Sequence, residues 1–238
     1  MMPGMSDGDP APGLIRASLL EASGVEAAFT TRALGDGLPV PESVPVFRLT
    51  QVHSNRVVHV KEDDAPPDLE PIEADALVTT RPGVALTIQV ADCVPVLLAL
   101  PGGRAVAAVH AGWRGIASGI LTRAVEEMCA AACCQPADLV ASAGPAIGPA
   151  RYEVDLETGR RIRGPLEGDV LSEPYGDGRV KADLWHAVLG RLEAVGLPPG
   201  RTEAIRLCTW SHPALLHSYR RDGPRSGRQL GFVVSAFR

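Results

Sequence analysis

Apolar positions along this chain fall into two rhythms. In the first half they form short continuous runs bounded by turn signals, the mark of buried strands. Val94 to Leu100 and Ala105 to Val109 are two such runs, separated by the turn Pro101-Gly102-Gly103. Gly24 to Thr31 reads as another strand. Val44 to Val52 and Arg56 to Val60 flank His53-Ser54-Asn55 as strand, turn, strand, and Ala76 to Thr80 and Val84 to Val90 do the same around Arg81-Pro82-Gly83. The second rhythm is helical. Ile120, Leu121, Ala124, Val125, Met128 and Ala132 recur on one face, with Arg123, Glu126 and Glu127 on another. Leu184, Trp185, Val188, Leu189, Leu192 and Val195 predict a second amphipathic helix, stopped by Gly196 and Pro198-Pro199. Ile205 to Thr209 and Leu230 to Val234 read as late strands. Strands, helix, loop, helix, strands is an α+β order rather than regular βαβ alternation.

The hairpin carries the first chemical signal. If Leu100 pairs with Ala105, Cys93 and His110 become diagonal neighbours on one face, roughly 7–8 Å apart at the Cα. A thiol and an imidazole then meet at one end of a sheet. A bulge would turn one of them away.

Composition narrows the classes. The 238 residues suit one large domain or two small ones, with no internal repeat or long linker. Apolar residues make up 45% and charged residues 21%, as in ordinary globular proteins. A net charge of −5 argues against generic nucleic-acid binding, because phosphate backbones attract basic faces. No run approaches the roughly 20 apolar residues that span a bilayer, so no membrane association is expected. The first residues, MMPGMSDGDPAPG, lack a basic flank and an apolar core, so they do not read as a signal peptide. We expect a flexible tail over residues 1–14 and a single catalytic domain over 15–238. The odd count of five cysteines fits reduced thiols or metal ligands in a cytoplasm better than a disulfide framework. Nothing in the sequence fixes the oligomeric state.

His53, Cys93 and His110 form a candidate zinc site, since catalytic zinc commonly takes three protein ligands and leaves a fourth position open. Their spacing alone is weak, with no compact CxxC or HExxH motif. A small buried thiol and two hydrogen-bonded structural histidines are the commoner outcome of such spacing.

The surrounding motifs add to this. In order they are Gln51-Val52-His53, Ala74 to Thr79 (ADALVT), Ala91 to Pro95 (ADCVP), His110 to Gly115 (HAGWRG), Gly144 to Pro149 (GPAIGP), and Tyr152-Glu153-Val154. Cys208-Thr209, Ser218 to Gly223 (SYRRDG) and Gly227-Arg228 close the set. From about Phe29 to the C-terminus the chain resembles the laccase-domain family of purine nucleoside phosphorylases, also labelled polyphenol oxidases or peptidoglycan editing factors. The resemblance implies an α+β sandwich of mixed β-sheets flanked by helices. It implies an enzyme that cleaves adenosine, inosine, guanosine or methylthioadenosine with phosphate and also deaminates adenosine. By motif match His53, Cys93 and His110 would be the zinc ligands. A zinc-bound water would attack carbon 6 of adenine.

A carboxylate must carry the proton. Asp92, beside Cys93, is the first candidate, with loop capping as its equal alternative; Asp75 and Glu153 rank below it. With Asp92 as proton carrier, Cys93 and His110 complete the catalytic set. Arginine forks suit phosphate, and Arg32, Arg220, Arg221 and Arg228 are the candidates, although a lone arginine is more often solvated. The chain departs from the family pattern at Ala33 to Pro45, a short segment replacing a Gly-rich loop, and at His217, where an aromatic is usual; packing is the expected role of His217. Cys129, Cys133 and Cys134 end a helical pattern and are expected to pack. His59, His186 and His212 have no partner motif.

Three other readings remain. Cys93 with His110 as base makes a metal-free cysteine hydrolase of a peptidoglycan precursor. Copper can occupy a Cys/His₂ site, but a multicopper oxidase needs His-x-His pairs and the six histidines form none. The shortened segment after Arg32 also fits a nucleoside binder without turnover.

Overall fold

The computed structural model describes residues 13–35, 37–66 and 72–237. Most of the expected 1–14 tail lies outside them, and Leu14, at its end, opens the strand Leu14–Arg16. The fold is an α+β sandwich of two mixed sheets flanked by helices, in a single domain.

One sheet has six strands, in the order Thr202–Ala204, Val140–Ala143, Val94–Ala99, Val106–Ala111, Ala76–Thr79, Val57–Val60. Its two edge pairs are parallel and the interior pairs antiparallel. The other has five, ordered Leu14–Arg16, Ala27–Thr30, Gln229–Val234, Ala85–Val90, Val46–Phe47. Leu97, Ala99, Val106, Ala108 and Leu77 from the first sheet meet Phe29, Leu86, Ile88 and Val233 from the second. The opposite face of the six-stranded sheet carries Val78, Val96, Leu98, Ala107 and Val109. It is covered by Ile120, Leu121, Ala124, Val125 and Met128 of the helix Ile120–Ala132, and by Leu184, Val188 and Leu192 of the helix Leu184–Ala194. Burial on both faces explains why these strands are continuous apolar runs rather than alternating ones.

The hairpin has the expected register, with Leu97 opposite Ala108, Pro95 opposite His110, and Leu100 N–H donating to Ala105 O. Other expectations need correction. Of Val44 to Val52 only Val46–Phe47 is strand. Beyond it the chain leaves the sheet, and the backbone N–H groups of Val52, His53 and Ser54 turn to the Asp75 carboxylate. The late strand is Thr202–Ala204 rather than Ile205 to Thr209, where only the single bridge Ala146–Cys208 forms. The short helices Ser18–Ala22, Trp113–Ser118, Leu156–Arg163 and Tyr219–Asp222 were not predicted. Each has too few residues for a clear apolar stripe to declare itself. Among the described residues, no helix is long and apolar enough to cross a membrane.

Two connections place the functional residues. Ala85–Val90 belongs to the five-stranded sheet and Val94–Ala99 to the six-stranded one, so Ala91-Asp92-Cys93 crosses the mouth of the sandwich. His110 lies near the end of the neighbouring strand, on the face that Val106 and Ala108 turn toward the opposite sheet.

Candidate metal centre

Asp75 organises the site. It is fully buried just before the strand Ala76–Thr79. Its Oδ1 accepts from His53 N–H at 3.0 Å and from His110 Nδ1 at 2.7 Å. Its Oδ2 accepts from Ser54 N–H at 2.6 Å, Ser54 Oγ at 2.8 Å and Val52 N–H at 3.3 Å. Burial opposes its charge, but the His110 and Ser54 hydrogen bonds outweigh that and hold the carboxyl at about 2. An ionised carboxylate only accepts, so Nδ1 of His110 carries a proton whatever the charge of the ring, and Nε2 is the nitrogen left to face a metal. The same carboxylate holds the turn at His53, whose φ of 59° lies in the left-handed region.

The ligand atoms of His53, Cys93 and His110 lie within 4.8 Å of one another, and Cys93 Sγ is 3.9 Å from His53 Nε2. The two rings stand edge to face, with centroids 4.8 Å apart. Zinc–nitrogen and zinc–sulfur bonds near 2.1 and 2.3 Å set tetrahedral ligand atoms about 3.5 Å apart, so small side-chain shifts close this set on one ion. Gly112 makes room for it. A Cβ there would lie 2.9 Å from His53 Cδ2 and 3.1 Å from Cys93 Sγ, a reason for glycine in HAGWRG. The donor set therefore fits a metal ion.

The electrostatics are those of a thiolate–imidazolium pair in the metal-free chain. Burial disfavours the Cys93 thiolate, but the charge of His110 and hydrogen bonds from His110 and His53 bring the thiol down to about 6. Burial likewise disfavours charged His110, yet the Cys93 charge and the Asp75 hydrogen bond hold it up at about 9. A cation held by these residues would meet a thiolate already favoured by its neighbours and would displace the proton from His110.

These three residues sit in a cavity of about 740 Å³, whose wall also includes Gln51, Asp92, Trp113, Arg114, Tyr152, Tyr219, Arg220 and Arg228. Arg220 lies over the Tyr152 ring, Arg228 over Tyr219, and Arg114 over Trp113. The wall thus combines flat aromatic faces with three guanidinium groups. Asp92 has φ of 92°; its Oδ1 accepts from Thr209 Oγ1 and its Oδ2 from Arg220 N–H, both at 2.6 Å. It ties the crossing segment to the two C-terminal loops.

The other candidates are placed elsewhere. Arg32 is not in the cavity wall and reaches Asp222 at 3.8 Å. Arg221 is also off the wall, its guanidinium bonded to Asp222 and to the carbonyls of Thr209, Trp210 and Leu216. Glu153 is exposed on its side chain, bonded to Tyr175 and Arg179. The His217 ring packs where a Cβ on Gly227 would strike it. Among the described residues of 33–45 none lines the cavity; Leu38, Val40 and Val44 pack with Phe232 and Val234 instead. Sequence reasoning ranked Asp75 low and did not single out Gln51, Arg114, Tyr152 or Tyr219. All four stand inside the motifs given above, which was the available signal.

Fold and site define an α+β sandwich protein with a three-donor cluster that could hold a metal ion at its open end. A family model described as multi-copper polyphenol oxidoreductase laccase matches residues 26–236, and the chain belongs to that laccase-domain family. A Pseudomonas aeruginosa protein named purine nucleoside phosphorylase is 35% identical over 94% of this chain and 95% of its own length. One of the same name from Haemophilus influenzae is 32% identical over 83% of this chain and 75% of its own. Among solved structures, YlmD from Geobacillus stearothermophilus superposes with a TM-score of 0.85 at 28% identity, covering 96% of this chain and 98% of that one.

Proposed function

We propose that this protein is a zinc-dependent purine nucleoside phosphorylase acting on adenosine, inosine, guanosine or methylthioadenosine, with adenosine deamination as a companion activity in the cytoplasm. The observation that carries the reading is the His53–Cys93–His110 cluster inside a cavity walled by aromatic rings and arginines. The names of the relatives support it.

Phosphorolysis needs an anion held against the anomeric carbon while the purine departs. Arg220 and Arg228 are the groups on the wall suited to hold phosphate. The rings of Trp113, Tyr152 and Tyr219 offer faces for the base. His53, Cys93 and His110 would hold a zinc ion, which would supply Lewis acidity and lower the pKa of a bound water to around 7. Asp92, fixed by Thr209 and Arg220, is the carboxylate we assign to proton transfer in deamination. Arg32 and Arg221 then act from behind the wall, through Asp222 and the loop carbonyls.

The test is product analysis by chromatography after incubation with adenosine, with and without phosphate. Adenine that forms only with phosphate supports the reading, and inosine alongside it supports the companion activity. No product in either condition overturns it. Metal analysis of the purified protein separates zinc from copper.

One geometric observation favours a second reading. Cys93, His110 and Asp75 follow one another as thiolate, imidazole and orienting carboxylate, the order of a cysteine hydrolase. Turnover that survives chelation and is abolished by iodoacetamide would select it.

A further inference from the structure

The helix Ile120–Ala132 ends in a cluster of three thiols remote from the cavity wall. Cys133 caps the helix in the left-handed conformation, at φ of 51°, a backbone that a side chain with a Cβ adopts at some cost. That turn reverses the chain, so that Cys134 N–H donates back to Cys129 O at 3.2 Å. It also lays the Cys134 thiol on the Cys129 sulfur, 3.8 Å away. Cys129 and Cys134 are both half-buried against the core under the helix, whereas Cys133 is exposed to solvent.

We propose that Cys129 and Cys134 form a dithiol modification site that low-molecular-weight disulfides oxidise to an intramolecular bridge. The sulfurs need to approach by about 1.8 Å to reach the S–S bond length near 2.05 Å, a movement within side-chain rotation. Backbone distance is already set by the hydrogen bond between the two residues.

The exchange runs in two steps. One thiol of the pair, as thiolate, attacks one sulfur of the small disulfide; a mixed disulfide forms on it and one small thiolate leaves. The other thiol, 3.8 Å from that sulfur, loses its proton to solvent and attacks it, and the second small thiolate departs. Burial, and then the contact with Cys134, push the Cys129 thiol up to about 12, which slows the attack by Cys129. Two protein thiols are oxidised and one disulfide is reduced to two thiols.

The test uses the purified full chain with oxidised glutathione, followed by iodoacetamide and trypsin. All three thiols fall in the single tryptic peptide 124–151. The expected product carries one alkyl group, on Cys133, and lacks two hydrogens; dithiothreitol restores three alkylated cysteines. Cys133→Ser keeps the bridge, and Cys134→Ser abolishes it with an unchanged circular dichroism spectrum. A bridge that persists in Cys129→Ser means Cys133 and Cys134 pair instead and overturns the proposal. A stable glutathione adduct on Cys134 without a bridge does so too.

Discussion

Replacing Asp75 with Asn tests whether one buried carboxylate holds two of the three candidate metal ligands. Asn keeps the shape and loses the charge and one acceptor. With its amide nitrogen toward Ser54, the backbone N–H groups of Val52 and Ser54 lose their acceptor. At about 1–3 kcal/mol for each buried donor left unsatisfied, that orientation is the expensive one. With the nitrogen toward His110, only His53 N–H is stranded. His110 must then accept at Nδ1, and its proton moves to Nε2, where a metal needs the lone pair. The second orientation should prevail. Asp75→Asn is therefore expected to fold, to lose about 1–3 kcal/mol of stability, and to bind metal about 10- to 100-fold more weakly. Chemical denaturation reads the first quantity and competition with a chromogenic chelator the second. Wild-type metal affinity in a folded Asp75→Asn protein would refute the argument, because it would mean that the Asp75–His110 contact does not set the tautomer.

Further outcomes follow from the same geometry. Gly112→Ala pushes a Cβ against the His53 and Cys93 side chains and should weaken metal binding while circular dichroism stays unchanged, because the nearest atoms it meets are side chains rather than backbone. Gly144→Ala should cost about 1–3 kcal/mol in denaturation, since its Cβ would clash with one side of the ring of fully buried Phe29; a neutral substitution would contradict the packing between the sheets. Asp75 is held at about 2 against an ordinary 3.8, so its ionised form stabilises the fold above pH 3.8 and that contribution is lost as pH falls through 2. Acid unfolding should steepen in that window for the wild type and not for Asp75→Asn. In chelator-treated protein at pH 7, Cys93, held near 6, should be alkylated well before Cys129, held near 12; equal rates by peptide mapping would contradict the charge environment described for Cys93.

The hairpin and its register are legible in the amino-acid order alone, and the resemblance of the surrounding motifs singles out the three donors. Pro101-Gly102-Gly103 marks a turn between two apolar runs, and a side-chain period of two then fixes which residues share a face. The face of His110 was legible for that reason, Cys93 as the residue just before the strand Val94–Ala99, and His53 through the motif in which it stands. The helices at 120 and 184 were legible because their apolar stripes run long enough to show the helical period. The remaining features depend on how distant segments pack. Asp75 lies 22 residues from His53 and 35 from His110, and no local pattern announces that its carboxylate will meet both. The four candidate arginines look alike in sequence. Arg220 and Arg228 reach the cavity wall, whereas Arg32 and Arg221 are drawn to Asp222, because long-range packing of the C-terminal loops decides which way each stem can lie. The expected strand from Val44 to Val52 shrank to Val46–Phe47 for a related reason: beyond Phe47 the backbone leaves the sheet toward a buried charge elsewhere in the chain. Local periodicity encodes faces and registers, while the meeting of distant polar groups is fixed only when the sheets close over them.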